Sequence, residues 1–260
     1  MITLFKSMGI IIFGLTLNLA VSAPQVQAQP ITASEVMERV DNIPVPTDQQ
    51  LEMTMTLINR HGDKLERVLD VKKQGEDKSY LLFLSPSDVK NTAFLNLSHE
   101  NRDDEMYLYL PALRKVRRIA SSSKHKNFMG SDFTYADMGD RDINDYTYEM
   151  IDRDSQLDGQ SAYQIEGTAK APREVGYSHL KFWIRKDIFM PVKIEYYDLS
   201  RDLLKVQSNK QFRQIDNYWL ATHIEMNNVQ TNHRTILEME DIRVDIGLPD
   251  MTWTERNLRR

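Results

Sequence analysis

Four aspartates, Asp137, Asp140, Asp142 and Asp145, stand close enough in sequence to suggest a calcium loop. Counted from Asp140, an EF-hand needs glycine at its sixth position and glutamate at its twelfth. Here those positions hold Asp145 and Ile151, so the spacing fails. A solvated loop whose acids pair with Arg117 or Arg141 is the expected alternative. The histidines His61, His99, His125, His179, His223 and His233 are scattered, and none stands in an H-E-x-x-H spacing. Gly130-Ser131-Asp132 lacks the G-x-S-x-G frame of a nucleophile elbow, and no phosphate loop or dinucleotide fingerprint occurs. There is no cysteine, hence no thiol nucleophile, thiolate metal site or disulfide. The expectation is a protein that is not an enzyme and that uses no cofactor and no metal.

The elements that would position any site begin behind a leader. Lys6 is the only charge before Glu35, and an apolar run from Met8 to Ala20 follows it. That run is too short and too diluted to span a bilayer, which takes about 20 apolar residues. Small-residue sites follow at Val21-Ser22-Ala23 and Val26-Gln27-Ala28. Residues 1–28 therefore read as a cleaved signal peptide and 29–260 as one exported domain. Without a cysteine the mature chain carries no lipid anchor, which points to the periplasm. Loss of Lys6 makes the formal charge one unit more negative than −5. This mild acidity argues against nucleic acid.

The first mature element reads as a helix: Thr32 and Glu35 form a T-x-x-E capping box before Val36, Met37 and Val40. From Leu51 the period changes to two. Leu51, Met53, Met55 and Leu57 alternate with polar residues, and His61-Gly62-Asp63 turns the chain into Leu65, Arg67, Leu69 and Val71. Further strands read at 80–84, 92–97, 105–110, 146–152, 162–168, 180–185, 192–196, 203–212, 218–227 and 234–244, with Asp158-Gly159 as a tight hairpin turn. Residues 111–145 interrupt the pattern, with room for a short helix near 133–138. So long a connection is often a lid or binding loop. The whole reads as an antiparallel meander of about ten or eleven strands.

Such a meander can curl around its apolar face. Thirteen methionines, two of them in the leader, suit a soft lining. Pattern alone fits either a ligand cavity or a dry core, and the dry core is the commoner outcome. Two details stay open in the same way. Arg114, Lys115, Arg117 and Arg118 alternate with apolar residues; they either meet anionic headgroups or an acidic partner, or form a solvated strand face. Phe133 and Tyr135 either plug the barrel mouth or anchor the insertion.

The run Tyr107-Leu108-Tyr109-Leu110-Pro111-Ala112-Leu113-Arg114-Lys115-Val116-Arg117-Arg118-Ile119, followed by Gly130-Ser131-Asp132-Phe133-Thr134-Tyr135-Ala136-Asp137-Met138, resembles the outer membrane lipoprotein-sorting protein family. The ending Thr252-Trp253-Thr254-Glu255-Arg256-Asn257-Leu258 is similar to that family's C-terminus. The resemblance implies an incomplete antiparallel β-barrel covered on its open side by helices, as in the carriers LolA and LolB. It implies an apolar cavity for lipid or lipoprotein acyl chains, and transport toward the outer membrane. A second implied reading is an accessory protein of an inner-membrane RND/MMPL-type permease, without cargo of its own. The residues expected to line the cavity are Met53, Met55, Leu57, Leu82, Leu84, Phe94, Leu108, Phe133, Tyr135, Phe182, Ile184, Ile194 and Tyr196.

Overall fold

The computed structural model describes residues 29–99, 102–139 and 141–259, so the expected leader at 1–28 lies outside the described residues. Residues Ile31–Arg260 form one compact unit. Helix α1 (Ala33–Asp41) begins at the expected capping box: Thr32 Oγ1 accepts from the Glu35 N–H, and the Glu35 carboxylate accepts from the Thr32 N–H at 2.7 Å. Its Val36 and Met37 are buried in the main core.

The sheet is a single antiparallel meander. β1 (Asp48–Ile58) pairs with β2 (Lys64–Gln74), and pairing continues through β3 (Lys78–Ser85), β4 (Ala93–Leu97), β5 (Glu105–Leu110) and β6 (Lys115–Arg118). A second run comprises β7 (Tyr146–Leu157), β8 (Gln160–Ala169), β9 (His179–Arg185), β10 (Pro191–Tyr197), β11 (Leu203–Ile215), β12 (Tyr218–Asn228) and β13 (His233–Val244). β13 pairs with β1, which joins the two runs in mid-sheet. Among the described residues the sheet thus has 13 strands rather than ten or eleven, and it stays open because its edges, β6 and β7, do not pair. The expected hairpin between β7 and β8 is tight: Asp158 (φ 50) and Gly159 (φ 76) are both left-handed, as a two-residue turn between twisted strands requires.

Period-two alternation assigns the faces. Leu51, Met53, Met55 and Leu57 of β1 lie beside Leu69 and Val71 of β2, and the larger core covers this inner face. A smaller core covers part of the outer face. There Tyr80, Ala93 and Leu95 are roofed by Trp253 and Leu258 of the C-terminal turns Asp250–Trp253 and Glu255–Arg259. Asp48 holds the start of this tail, accepting from the N–H groups of Ile246, Gly247 and Leu248 at 2.6 to 3.2 Å. Buried at 4% exposure, it satisfies three donors at once.

Residues 119–145 link the two sheet edges directly. Among the described residues they contain no strand and only short 3-10 turns at Ser121–Ser123, Phe128–Gly130, Ala136–Met138 and Ile143–Asp145. The helix expected near 133–138 is thus a single tight turn. Packing across the sheet, not a continuous helical ladder, determines this segment.

Candidate functional site

The inner face of the sheet is divided in character. Phe94, Leu108, Leu81 and Phe83 make the β3–β5 side apolar, and Leu180, Phe182, Ile184, Ile194 and Tyr196 do the same on β9 and β10. Between them, β11 and β13 turn polar side chains inward: Lys205, Asn209 and Thr235 are buried. Residues 119–145 lie over both kinds of surface.

Over the apolar part they act as a plug. Phe128 is fully buried, with its ring 5.1 Å from Phe94 and edge-on to Tyr135 at 5.5 Å. Phe133 is buried in the same core, and Met129 and Met138 pack against it. A short bridge shapes the plug: the Phe128 N–H donates to the Phe133 carbonyl at 2.7 Å, and Ser131 Oγ donates to the Phe128 carbonyl. Arg67 of β2 reaches across to donate to the Met129 carbonyl.

Over the polar part they are latched by two buried carboxylates. Lys205 Nζ donates to Asp137 Oδ2 at 2.6 Å and to the Asp132 carbonyl at 3.0 Å. The side chains of this ion pair are only 2% and 5% exposed. Tyr177 and Tyr196 set their rings within 5.3 Å of the ammonium. Tyr177 also donates its hydroxyl to Asp137, and the Thr134 N–H donates to the same carboxylate at 2.7 Å. Burial alone would push the Asp137 carboxyl up, but Lys205 and the Thr134 donors hold it below its ordinary value. Burial and the Asp137 charge together push the Tyr177 phenol far up, so it stays a donor. The second carboxylate, Asp132, accepts from Thr235 Oγ1 at 2.7 Å and lies 2.7 Å from His233 Nδ1. The Asp132 N–H donates in turn to Thr235 Oγ1. A third tie comes from Arg141, whose Nη2 donates to the Tyr196 hydroxyl at 2.9 Å. Burial pushes that phenol up to about 12. Beside the latch a cleft of about 170 Å³ opens between Asp104, Met106, Lys124, Arg141 and Tyr177.

Most of the thirteen expected lining residues fall on one surface. Met53, Met55, Leu57, Phe94, Leu108, Phe182, Ile184, Ile194 and Tyr196 are buried in the inner core. Phe133 and Tyr135 are not wall residues; they belong to the plug that covers the wall. Leu82 and Leu84 are corrections. Leu81 and Phe83 face inward in β3, so Leu82 packs in the outer core and Leu84 is 37% exposed. The cause is local: Tyr80-Leu81-Leu82-Phe83-Leu84 is apolar throughout, and an unbroken apolar run does not reveal which parity faces in. The acidic run also separates by role. Asp137 is latched, Asp142 caps the turn at Asn144, and Asp140 lies outside the described residues. Among the described residues no group of three or more His, Asp or Glu could hold a metal ion.

A protein-family model described only as "Uncharacterized protein" matches residues 75–260. No curated protein matches the sequence. A crystal structure from Vibrio parahaemolyticus, described as an outer membrane lipoprotein-sorting protein domain, is 32% identical; the match covers 88% of this chain and 98% of that one, with a TM-score of 0.82. The chain belongs to the outer membrane lipoprotein-sorting protein family. A DUF1329 family protein from Desulfovibrio piger is similar at 30% identity over 87% of this chain and 97% of its own, with a TM-score of 0.83. A LolA superfamily protein from Nitrosomonas europaea, 21% identical with a TM-score of 0.69 over 88% and 100% of the two chains, shares the fold.

For this lipoprotein-sorting family member, sequence reasoning missed Lys205, Thr235, His233 and Tyr177. Polar residues in an alternating strand read as its solvent face. The one available signal was Lys205 itself, which shares inward parity with the polar Gln207 and Asn209.

Proposed function

We propose that this protein is a periplasmic carrier that holds an acyl chain of a lipid or lipidated protein against the inner face of its sheet. On this reading residues 1–28 are removed on export, 29–260 act as one domain, and the protein performs no chemistry. The observation that carries the reading is the plug. An apolar wall is covered by a separate segment, residues 119–145, whose apolar side chains stand where a chain would lie. Membership of the lipoprotein-sorting family supports the same reading.

The magnitudes allow exchange. A chain of about 15 methylenes contributes roughly 12 kcal/mol on burial, at about 0.8 kcal/mol per group. Returning the buried Phe128 and Phe133 to water costs about 1.5–3 kcal/mol each, and the partly buried Met129 less. Undoing the latch adds its own cost. Gain and cost are of similar size, which suits a carrier that must both load and release.

A second reading has its own observation. The inner face is already filled by the protein's own side chains, which favours an adaptor of an RND/MMPL-type permease with no cargo. Native mass spectrometry of gently purified protein separates the two. A carrier is expected to show the polypeptide mass plus one or more lipid masses, lost on delipidation. A polypeptide mass alone, with the permease captured in a pull-down, would favour the adaptor.

A further inference from the structure

The β5–β6 hairpin presents a surface that the carrier reading does not use. β6 is an edge of the sheet, so the hairpin has a neighbour on one side only. Its tip is the 3-10 turn Pro111–Leu113, closed by Arg114 in the left-handed region (φ 47). Leu113 is 48% exposed and Ala112 is exposed beside it. Directly after the tip, Arg114, Lys115, Arg117 and Arg118 are all exposed. Among the described residues none of these four forms an ion pair with an acid. Of the four, Arg118 alone acts on the nearby acids Asp103 and Glu105, whose nearer cations are Lys124 and Arg102 respectively. The tail turn Glu255–Arg259 packs along β4, β5 and β6 and brings exposed Arg256 to the same edge. In a chain with a formal charge of −5, this is a local reversal of sign.

We propose that this hairpin docks the protein on an anionic lipid bilayer, with the cations on the headgroups and Leu113 entering the interface. Charge complementarity fits either an acidic protein or an acidic membrane. The exposed leucine at the tip favours the membrane, because an apolar side chain beyond a row of cations is the pattern of interfacial binding. An acidic protein surface would leave Leu113 without a partner. The inference does not require the inner face to open, and it holds for carrier and adaptor alike.

The test is flotation of the protein, purified after expression with its own leader, with phosphatidylcholine vesicles with or without one-third phosphatidylglycerol. The protein is expected to float with the anionic vesicles only, and less so at high salt. Each cation near such a surface contributes roughly fivefold in affinity, so Lys115→Glu with Arg117→Glu should weaken binding more than tenfold. The thermal midpoint should not move, since both side chains are exposed. Lys115→Gln with Arg117→Gln should give an intermediate loss, and Leu113→Ser a further loss on anionic vesicles. No binding to anionic vesicles, or binding unchanged by the charge reversal, overturns the proposal. So does capture by polyglutamate with vesicles ignored, which would assign the hairpin to an acidic protein.

Discussion

Replacing Lys205 by methionine is expected to lower the stability of the protein by about 3–5 kcal/mol. The magnitude follows from what stays behind. Asp137 is buried with Lys205 as its counter-ion at 2.6 Å, and the neutral donors Tyr177 and Thr134 cannot replace that charge. Removing one partner of a buried pair leaves the other uncompensated in a poorly solvating site. Removing both is milder: Lys205→Met together with Asp137→Leu should recover most of the loss, because a well-packed apolar pair often equals a buried ion pair. Urea denaturation of the two single variants and the double variant checks this as a mutant cycle. A Lys205→Met loss below about 1 kcal/mol, or a double variant as poor as the sum of the singles, would contradict the latch.

Phe128→Ala is the second large effect, and its two readouts move in opposite directions. Truncating a fully buried phenylalanine costs about 3–5 kcal/mol in an ordinary core. Phe128, however, belongs to a segment held by a few long-range ties, so much of the cost should fall on closure of the plug. Protease sensitivity within residues 119–139 should rise more than the global midpoint falls. If the plug competes with cargo, weakening it removes part of the cost of opening. Affinity for a fluorescent fatty acid should then tighten by at least about tenfold. Weaker binding in Phe128→Ala would mean that Phe128 is part of the wall that holds the ligand.

The sequence carried the sheet well and the latch hardly at all, for reasons visible residue by residue. Leu51, Met53, Met55 and Leu57 alternate cleanly because β1 is central and its outer face is polar, so one parity must face inward. Thr32 and Glu35 mark their helix because a capping box is a local arrangement. β3 misleads at Leu82 because the C-terminal tail makes its outer face apolar as well, and nothing near Leu82 in sequence announces Trp253. The latch is worse still. Asp137 and Lys205 are 68 positions apart, and Asp132 and His233 are 101 apart. No spacing rule links them, and each looks like a solvated charge until the sheet brings β11 and β13 under the insertion. For Lys115–Arg118 the sequence does not separate a basic face that meets anionic headgroups or an acidic partner from a solvated strand face, because four residues, three of them basic, carry little alternation.

The central claim is that an acyl chain takes the place of residues 119–145 on the inner face. Amide hydrogen exchange measures this directly, with delipidated protein titrated with a single-chain phospholipid. Without lipid, the amides of Phe128, Asp132, Tyr135 and Ala136 should be protected, since they donate to Phe133, Thr235, Lys126 and Lys124 respectively. With lipid bound, those four should lose protection while the amides of β1 and β13 keep theirs. Saturable lipid binding that leaves the four protected, or increases their protection, would contradict displacement of the plug.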